Sequence, residues 1–373
     1  MNTAAKPTAA ALEQALDLNR LSPATQSFVA AIADRADLPM RLAQMALVFK
    51  SREPKTDARA LARAASQLAP DDFRVRVLTD WLQRREAPLW HFRIVHDQAR
   101  NEIYAAALRR FVEPGMIVFE IGTGTGILAM LAAQAGAEHV YTCERRADVA
   151  AAAREIIARN GFAERITVIE KDAYTVRLGP DLPRRADLFV AEIVDNTLLG
   201  EGVLPLTEDA RHKLLAPEAI LLPRAVAAMG YLISGRGHAP SYRMEQVMGF
   251  DLTPFNRFTP VEINAGKGGG DLEPLSDAVE LAAFDLAQDT PKEARHRVTF
   301  TATGAGQAEA LLRWLRLDFG DGILFENRPP QRSSWDPHLH IFPHARRLQV
   351  GDRLEVEVSH NRDRLFLWPV DER

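Results

Sequence analysis

The chain has 373 residues, of which 47% are hydrophobic and 26% charged, and its formal net charge is −4 at neutral pH. That length allows two or three domains with a substantial core, the composition excludes extensive disorder, and the slightly acidic balance argues against a general nucleic-acid binder. A single cysteine, Cys143, excludes a disulfide framework or cysteine metal site; with no apolar stretch of ~20 residues and no secretion-signal core, a cytoplasmic protein without a membrane span is expected.

In chain order, residues 9–86 read as helices, with apolar residues at three- and four-residue steps through Ala9, Leu12 and Leu16 and a break at Ser22-Pro23. The stretch from Asp57 to Arg76 resembles the second helix and closing proline of one tetratricopeptide repeat. Such arrays need several units to bury a continuous core, so a plain helical extension competes with a repeat-like arm, which would offer a surface to a protein partner.

From Val118 to Leu222 apolar runs alternate with helical stretches. The runs are Val118–Ile121, His139–Cys143, Ile166–Ile169, Asp187–Ala191 and Ala219–Leu222. Alternation of this kind predicts βαβ units and a parallel sheet, with ligands at the carboxyl ends of its strands. At the first such end Val118-Phe-Glu-Ile-Gly-Thr-Gly-Thr-Gly-Ile-Leu-Ala-Met130 breaks from strand into glycines and then into helix. Gly122, Gly124 and Gly126 let backbone approach a ligand where a Cβ would collide.

The spacing differs from the G-x-G-x-x-G of dinucleotide sites, and no Lys-Ser/Thr follows as in a phosphate loop. Glu120, inside the strand, would repel a diphosphate and attract a cation. S-adenosylmethionine carries a sulfonium and an ammonium, and Glu144, ending the second strand, offers an acceptor for its ribose hydroxyls. The pattern therefore reads as a methyl-donor site.

The fourth strand ends in Ala191-Glu192, and a short loop returns a second acid, Glu201, nine positions later. The pair fits an acid/base dyad or a guanidinium clamp, because a planar fork of donors matches two carboxylates and relieves their repulsion. After Pro223 the runs 225–233, 298–302, 311–319 and 354–359, separated by glycine, proline and asparagine turns, predict an antiparallel sheet or barrel. Gly266–Gly270 reads as a loop within it, and no histidine spacing suggests a metal.

With these residues in view, roughly residues 88–370 resemble the protein arginine methyltransferases, most of all the type III, monomethylating branch, whose members similarly carry Gly-Glu-Gly at the second acid. The resemblance implies an α/β fold: a doubly wound, Rossmann-like S-adenosylmethionine-dependent methyltransferase domain (residues 87–223), then an antiparallel β-barrel-like substrate and dimerisation domain (224–373), after a helical extension (1–86). By the same resemblance Glu120 to Gly126 hold the donor's methionine part, Glu144 its ribose, and Asp172 and Ala173 border its adenine. Arg100 pairs with its carboxylate, His91 lines its site, Asp97 faces the reaction centre, Trp335 walls the arginine slot, and Glu192 with Glu201 clamps the guanidinium. Where the family reads Thr-His-Trp this chain has Ser333-Ser334-Trp335, so His338 or His340 would have to turn inward to restore a histidine beside Asp97. The family's head-to-tail dimer uses a helical arm, which residues 236–295 could hold. The function implied is N-methylation of arginine in a protein or peptide; a small guanidino or amine substrate and a donor-fold binding module without turnover are the alternatives.

Overall fold

The computed structural model describes residues 8–49, 55–86, 88–234, 244–266 and 272–370, and the chain divides into two compact units, residues 1–91 and 92–373. In the first, α1 (Ala9–Ala15), α2 (Pro23–Ile32), α3 (Leu38–Phe49), α4 (Lys55–Leu68) and α5 (Phe73–Glu86) share a core that includes Leu12, Val29, Leu42, Leu61 and Val75. Pro23 sits in the first turn of α2, where its missing N–H costs nothing. Asp57 Oδ2, at the start of α4, accepts from the Ser22 backbone at 3.1 Å and from the Ser22 and Thr25 hydroxyls at 2.6 and 2.5 Å. The repeat-like stretch thus covers most of α4 and runs on into α5.

The second unit opens, after α6 (Trp90–Val95), with α7 (Gln98–Phe111) and then β1 (Ile117–Ile121), α8 (Ile127–Ala135), β2 (His139–Cys143), α9 (Ala147–Arg159), β3 (Ile166–Ile169), β4 (Ala186–Ala191), α10 (Val203–Lys213) and β5 (Leu215–Leu222). The five strands form one parallel sheet in the order β3-β2-β1-β4-β5. Every residue of β1 is buried, as a strand covered on both faces requires. Because β1 lies between β2 and β4, the chain leaves it toward one side and returns on the other, which opens a crevice at its carboxyl end.

Beyond Leu222 follow β6 (Ala225–Ser234), β7 (Gln246–Val247), β8 (Phe250–Asp251), β9 (Glu262–Asn264), β10 (Glu273–Pro274), β11 (Val279–Asp285), β12 (Ala294–Thr301), β13 (Gly306–Asp318), β14 (Leu324–Glu326), β15 (His338–Leu348), β16 (Arg353–His360) and β17 (Leu365–Pro369). They pair antiparallel throughout, in a seven-stranded and a three-stranded sheet plus the β7-β8 hairpin. Phe300, Val356 and Val358 of the smaller sheet join one core with Val226, Leu311 and Leu317 of the larger, a barrel-like closure. No α-helix lies among the described residues of 236–295: the hairpin and a 3-10 turn over Thr253–Phe258 stand where a helical arm was expected. Of the Gly266–Gly270 loop, only Gly266 falls within the described residues. No helix is long and apolar enough to cross a membrane, and no acid, histidine and cysteine cluster could hold a metal, among the described residues.

Candidate active site

The glycine turn sits at the crevice. Gly122, Gly124 and Gly126 all have positive φ (+87°, +52° and +81°), a left-handed backbone that side chains resist. The Gly122 and Thr123 N–H groups donate to the carbonyl of Cys143 at 3.0 and 3.1 Å, which folds the turn onto the end of β2. There Glu144 accepts from the Gly124 N–H at 3.3 Å and the Arg146 N–H at 3.0 Å, so its carboxylate and the glycines form one rim. Glu120, only 1% exposed, has no hydrogen-bond partner on either carboxylate oxygen among the described residues. Burial, reinforced by Glu144 and Glu192, pushes its carboxyl up to about 8 against the opposing pull of Thr142 and Arg100. Desolvation thus disfavours the charged form of this acid, and a cationic ligand in the crevice would restore it.

Helix α7 brings three residues to the same side of β4. Asp97 caps it, accepting from the Arg100 N–H at 3.1 Å, and Arg100 and Tyr104 follow one and two turns on. The Tyr104 hydroxyl donates to the carbonyl of Ala191 at 3.0 Å, pinning the residue before Glu192. Arg100 Nη2 then pairs with Glu192 at 2.8 Å, with side-chain exposures of 3% and 10%. The residue expected on the donor's carboxylate and one expected on the substrate thus hold each other. Burial pushes Glu192 up, and Arg100 limits the rise. Arg100 Nη1 donates to Asn101 Oδ1 at 2.7 Å, while its buried Nε has no partner among the described residues.

The second acid lies at the end of a tightly built loop. Asp195 Oδ1 accepts from the Thr197 and Gly200 N–H groups at 3.0 and 3.1 Å, and buried Leu198 takes a left-handed φ of 78°. Gly202 caps α10, leaving Glu201 just before the helix. Glu201 keeps an exposed face, yet partial burial, then Glu192 and Asp195, push its carboxyl up to about 7, with Arg145 opposing.

Opposite α7, the barrel loop supplies serines where the resemblance implies a histidine. Asp97 Oδ2 accepts from Ser333 Oγ at 2.6 Å, the Ser334 N–H at 2.6 Å and Ser334 Oγ at 2.9 Å. These donors outweigh burial and keep Asp97 below the usual carboxylate range. His338 and His340 do not turn toward it: they face Glu262 at 2.7 and 3.6 Å, beside Arg313. Trp335 is 3% exposed, packs edge-on to Phe325, and donates its indole N–H to the Val194 carbonyl at 2.6 Å. It offers no open wall in this state and instead fixes the loop between the two acids.

Residues 103–220 match the family model for ribosomal protein L11 methyltransferase (PrmA), which spans the parallel sheet. An arginine N(omega)-methyltransferase from Streptomyces achromogenes subsp. streptozoticus is 38% identical over 260 residues, covering 68% of this chain and 71% of that protein. The chain belongs to the arginine methyltransferase family. Protein arginine N-methyltransferase 7 of Drosophila ananassae is 30% identical over 259 residues, taking in 63% of this chain but only 37% of the fly protein. In fold, the chain is similar to a chain of the Trypanosoma brucei PRMT1 enzyme-prozyme heterotetrameric complex with AdoHcy, with a TM-score of 0.66, 22% identity, and coverage of 72% and 86% of the two chains.

As an arginine methyltransferase, the chain is an enzyme that uses S-adenosylmethionine to methylate an arginine nitrogen. Its crevice fits that donor on two counts. The orphaned Glu120 oxygens suit a cationic ligand, and the orphaned Arg100 Nε suits a carboxylate. Asp172 and Ala173 begin the 3-10 turn Ala173–Thr175 after β3, where Asp172 accepts from the Tyr174 N–H at 3.1 Å. His91 belongs to the other compact unit, stacked on Trp90 with ring centroids 3.7 Å apart. Sequence reasoning missed Tyr104, the Asp195 loop cap, the serine donors to Asp97, and an Arg93–Asp336 ion pair at 3.0 Å. The Asp195-x-Thr197 pattern was the one local signal for any of them; the other contacts span 87 to 243 residues.

Proposed function

We propose that Glu192 and Glu201 clamp the substrate guanidinium of an arginine in a protein or peptide, which then receives a single methyl group. What supports this reading is that Glu192 stands at the end of β4 and Glu201 closes the loop that follows it, near enough that Glu192 adds to the upward push that burial gives the Glu201 carboxyl, next to the glycine turn. An incoming guanidinium relieves the repulsion and the burial together, and both carboxylates then ionise against it. Glu120, Gly122, Gly124, Gly126, Glu144 and Arg100 hold the donor, with Asp172 and Ala173 beside its adenine.

S-adenosylmethionine supplies an electrophilic methyl group on a sulfonium. Arginine is a poor nucleophile because its charge is spread over three nitrogens. By drawing that charge onto two of them, the glutamates leave the third richer in electrons and fixed in line; positioning of this kind can lower a barrier by up to about 7–11 kcal/mol. The methylated nitrogen must shed a proton, and the exposed Glu201 can pass it to solvent. Asp97, held ionised by the serines, keeps α7 and hence Arg100 in register.

A second reading follows from the Streptomyces relative, which is named for arginine without mention of protein. Free arginine or a small guanidino compound would then occupy the same clamp. We also propose a homodimer joined through residues 244–261, where Met248, Phe250, Phe255, Phe258 and Val261 are 91%, 71%, 59%, 64% and 75% exposed. The test of the clamp is Glu192→Gln and Glu201→Gln, assayed with labelled donor on arginine peptides and free arginine. Both should lose turnover by about 10²-fold or more while S-adenosylhomocysteine still binds. Wild-type turnover in either variant rules the clamp out.

A further inference from the structure

Resting on the clamp reading, we propose that the arginine slot accepts free L-arginine as an amino acid, with Arg93 receiving its α-carboxylate and Asp336 its α-ammonium. The pair hangs on the loop that joins the two acids. Trp335 holds the Val194 carbonyl, and the next residue, Asp336, donates its N–H to the Asn196 side chain at 3.1 Å. Val194 and Asn196 both lie between Glu192 and Glu201. From the other side, Arg93 stands one turn before Asp97, on the helix that leads into α7.

The two partners are built differently. Asp336 is 7% exposed and fixed: Asn264 Nδ2 donates to its Oδ2 at 3.0 Å, and Arg93 Nη2 reaches Oδ1 and Oδ2 at 3.1 and 3.0 Å. The Arg93 side chain, in contrast, is 44% exposed. A buried anion held by Asn264 and paired with a half-exposed cation leaves that cation open to solvent on one side, an arrangement that suits partner exchange with a zwitterion. The ligand's ammonium takes the place of Arg93 on the Asp336 carboxylate, and the released Arg93 guanidinium turns onto the ligand's α-carboxylate. A residue within a peptide is neutral at both positions and gains nothing from the exchange. The charges match a free amino acid.

Calorimetry on the full chain saturated with S-adenosylhomocysteine tests this directly, using L-arginine, agmatine (which lacks the carboxylate), Nα-acetyl-arginine and an arginine-containing peptide. Arginine should bind at least about tenfold tighter than agmatine or the peptide, since each lacks a charge-assisted contact. Arg93→Gln should erase the arginine-over-agmatine preference without weakening agmatine, Arg93→Lys should restore part of it, and Asp336→Asn should weaken arginine and agmatine alike. A flat series, or a loss in Arg93→Gln equal for every ligand, overturns the head-group assignment and leaves the clamp standing. If no guanidino compound binds while S-adenosylhomocysteine does, both fall.

Discussion

Replacing Arg100 by glutamine removes the cation from a pair whose side chains are 3% and 10% exposed. Two unit charges about 4 Å apart attract by about 4 kcal/mol at an effective dielectric of about 20, and removing one partner of a buried pair typically costs about 3–5 kcal/mol. Glu192 would not stay charged in isolation. Burial already raises its carboxyl, and without Arg100 it rises further; Glu120, which Arg100 also holds down, follows. An acid whose folded-state pKa lies above its unfolded value binds protons on folding, so stability falls as pH climbs from the ordinary glutamate range through the folded value. The deficit of Arg100→Gln should therefore approach about 4 kcal/mol near pH 9 and shrink by about 1 kcal/mol or more near pH 6. Urea unfolding at both pH values, followed by a probe in the second unit, measures this. Arg100→Gln combined with Glu192→Gln should regain most of the loss, because no unpaired charge remains. A loss below about 1 kcal/mol that is equal at both pH values would refute the buried pair.

The reaction should respond to pH through Glu201. Its carboxyl is pushed up to about 7, so kcat/KM should rise as pH increases through that value and level off above it, and Glu201→Gln should abolish the dependence along with the turnover; a wild-type profile falling across the same range contradicts the clamp. Gly200→Ala should cost about 1–3 kcal/mol in thermal unfolding and reduce turnover while sparing S-adenosylhomocysteine affinity. The reason is steric: a Cβ there would meet Asp195 Oδ2 at 2.2 Å and Thr197 Oγ1 at 2.9 Å, and Asp195 cannot rotate away without releasing the N–H groups of Thr197 and Gly200. An alanine variant with wild-type activity would show that this loop does not set the position of Glu201.

How much of the site could be read in advance follows from how local each signal is. The glycine turn is legible because its three left-handed residues and the strand and helix that flank them are contiguous, from Val118 to Met130. Glu120 and Glu144 are legible as acids at strand ends, but not the upward shift of the Glu120 carboxyl, which burial among distant segments sets. Strand β15 was missed because Pro343 and the charged residues around it break the alternation that marks a strand. The arm region was expected to be helical by resemblance, while its described residues favour a hairpin turned by Met248-Gly249, both at positive φ.

Short-range pattern in the amino-acid order determined that a parallel α/β sheet would carry a cofactor turn and that two glutamates would stand at the end of its fourth strand. Only the folded chain decided their partners: Arg100 on Glu192, paired serines on Asp97, an indole on the Val194 carbonyl, and Arg93 on Asp336. Periodicity and turn chemistry act over a few residues and leave their mark in any window. Charge pairing across a crevice depends on which distant segments the core brings together, and on how little water is left between them.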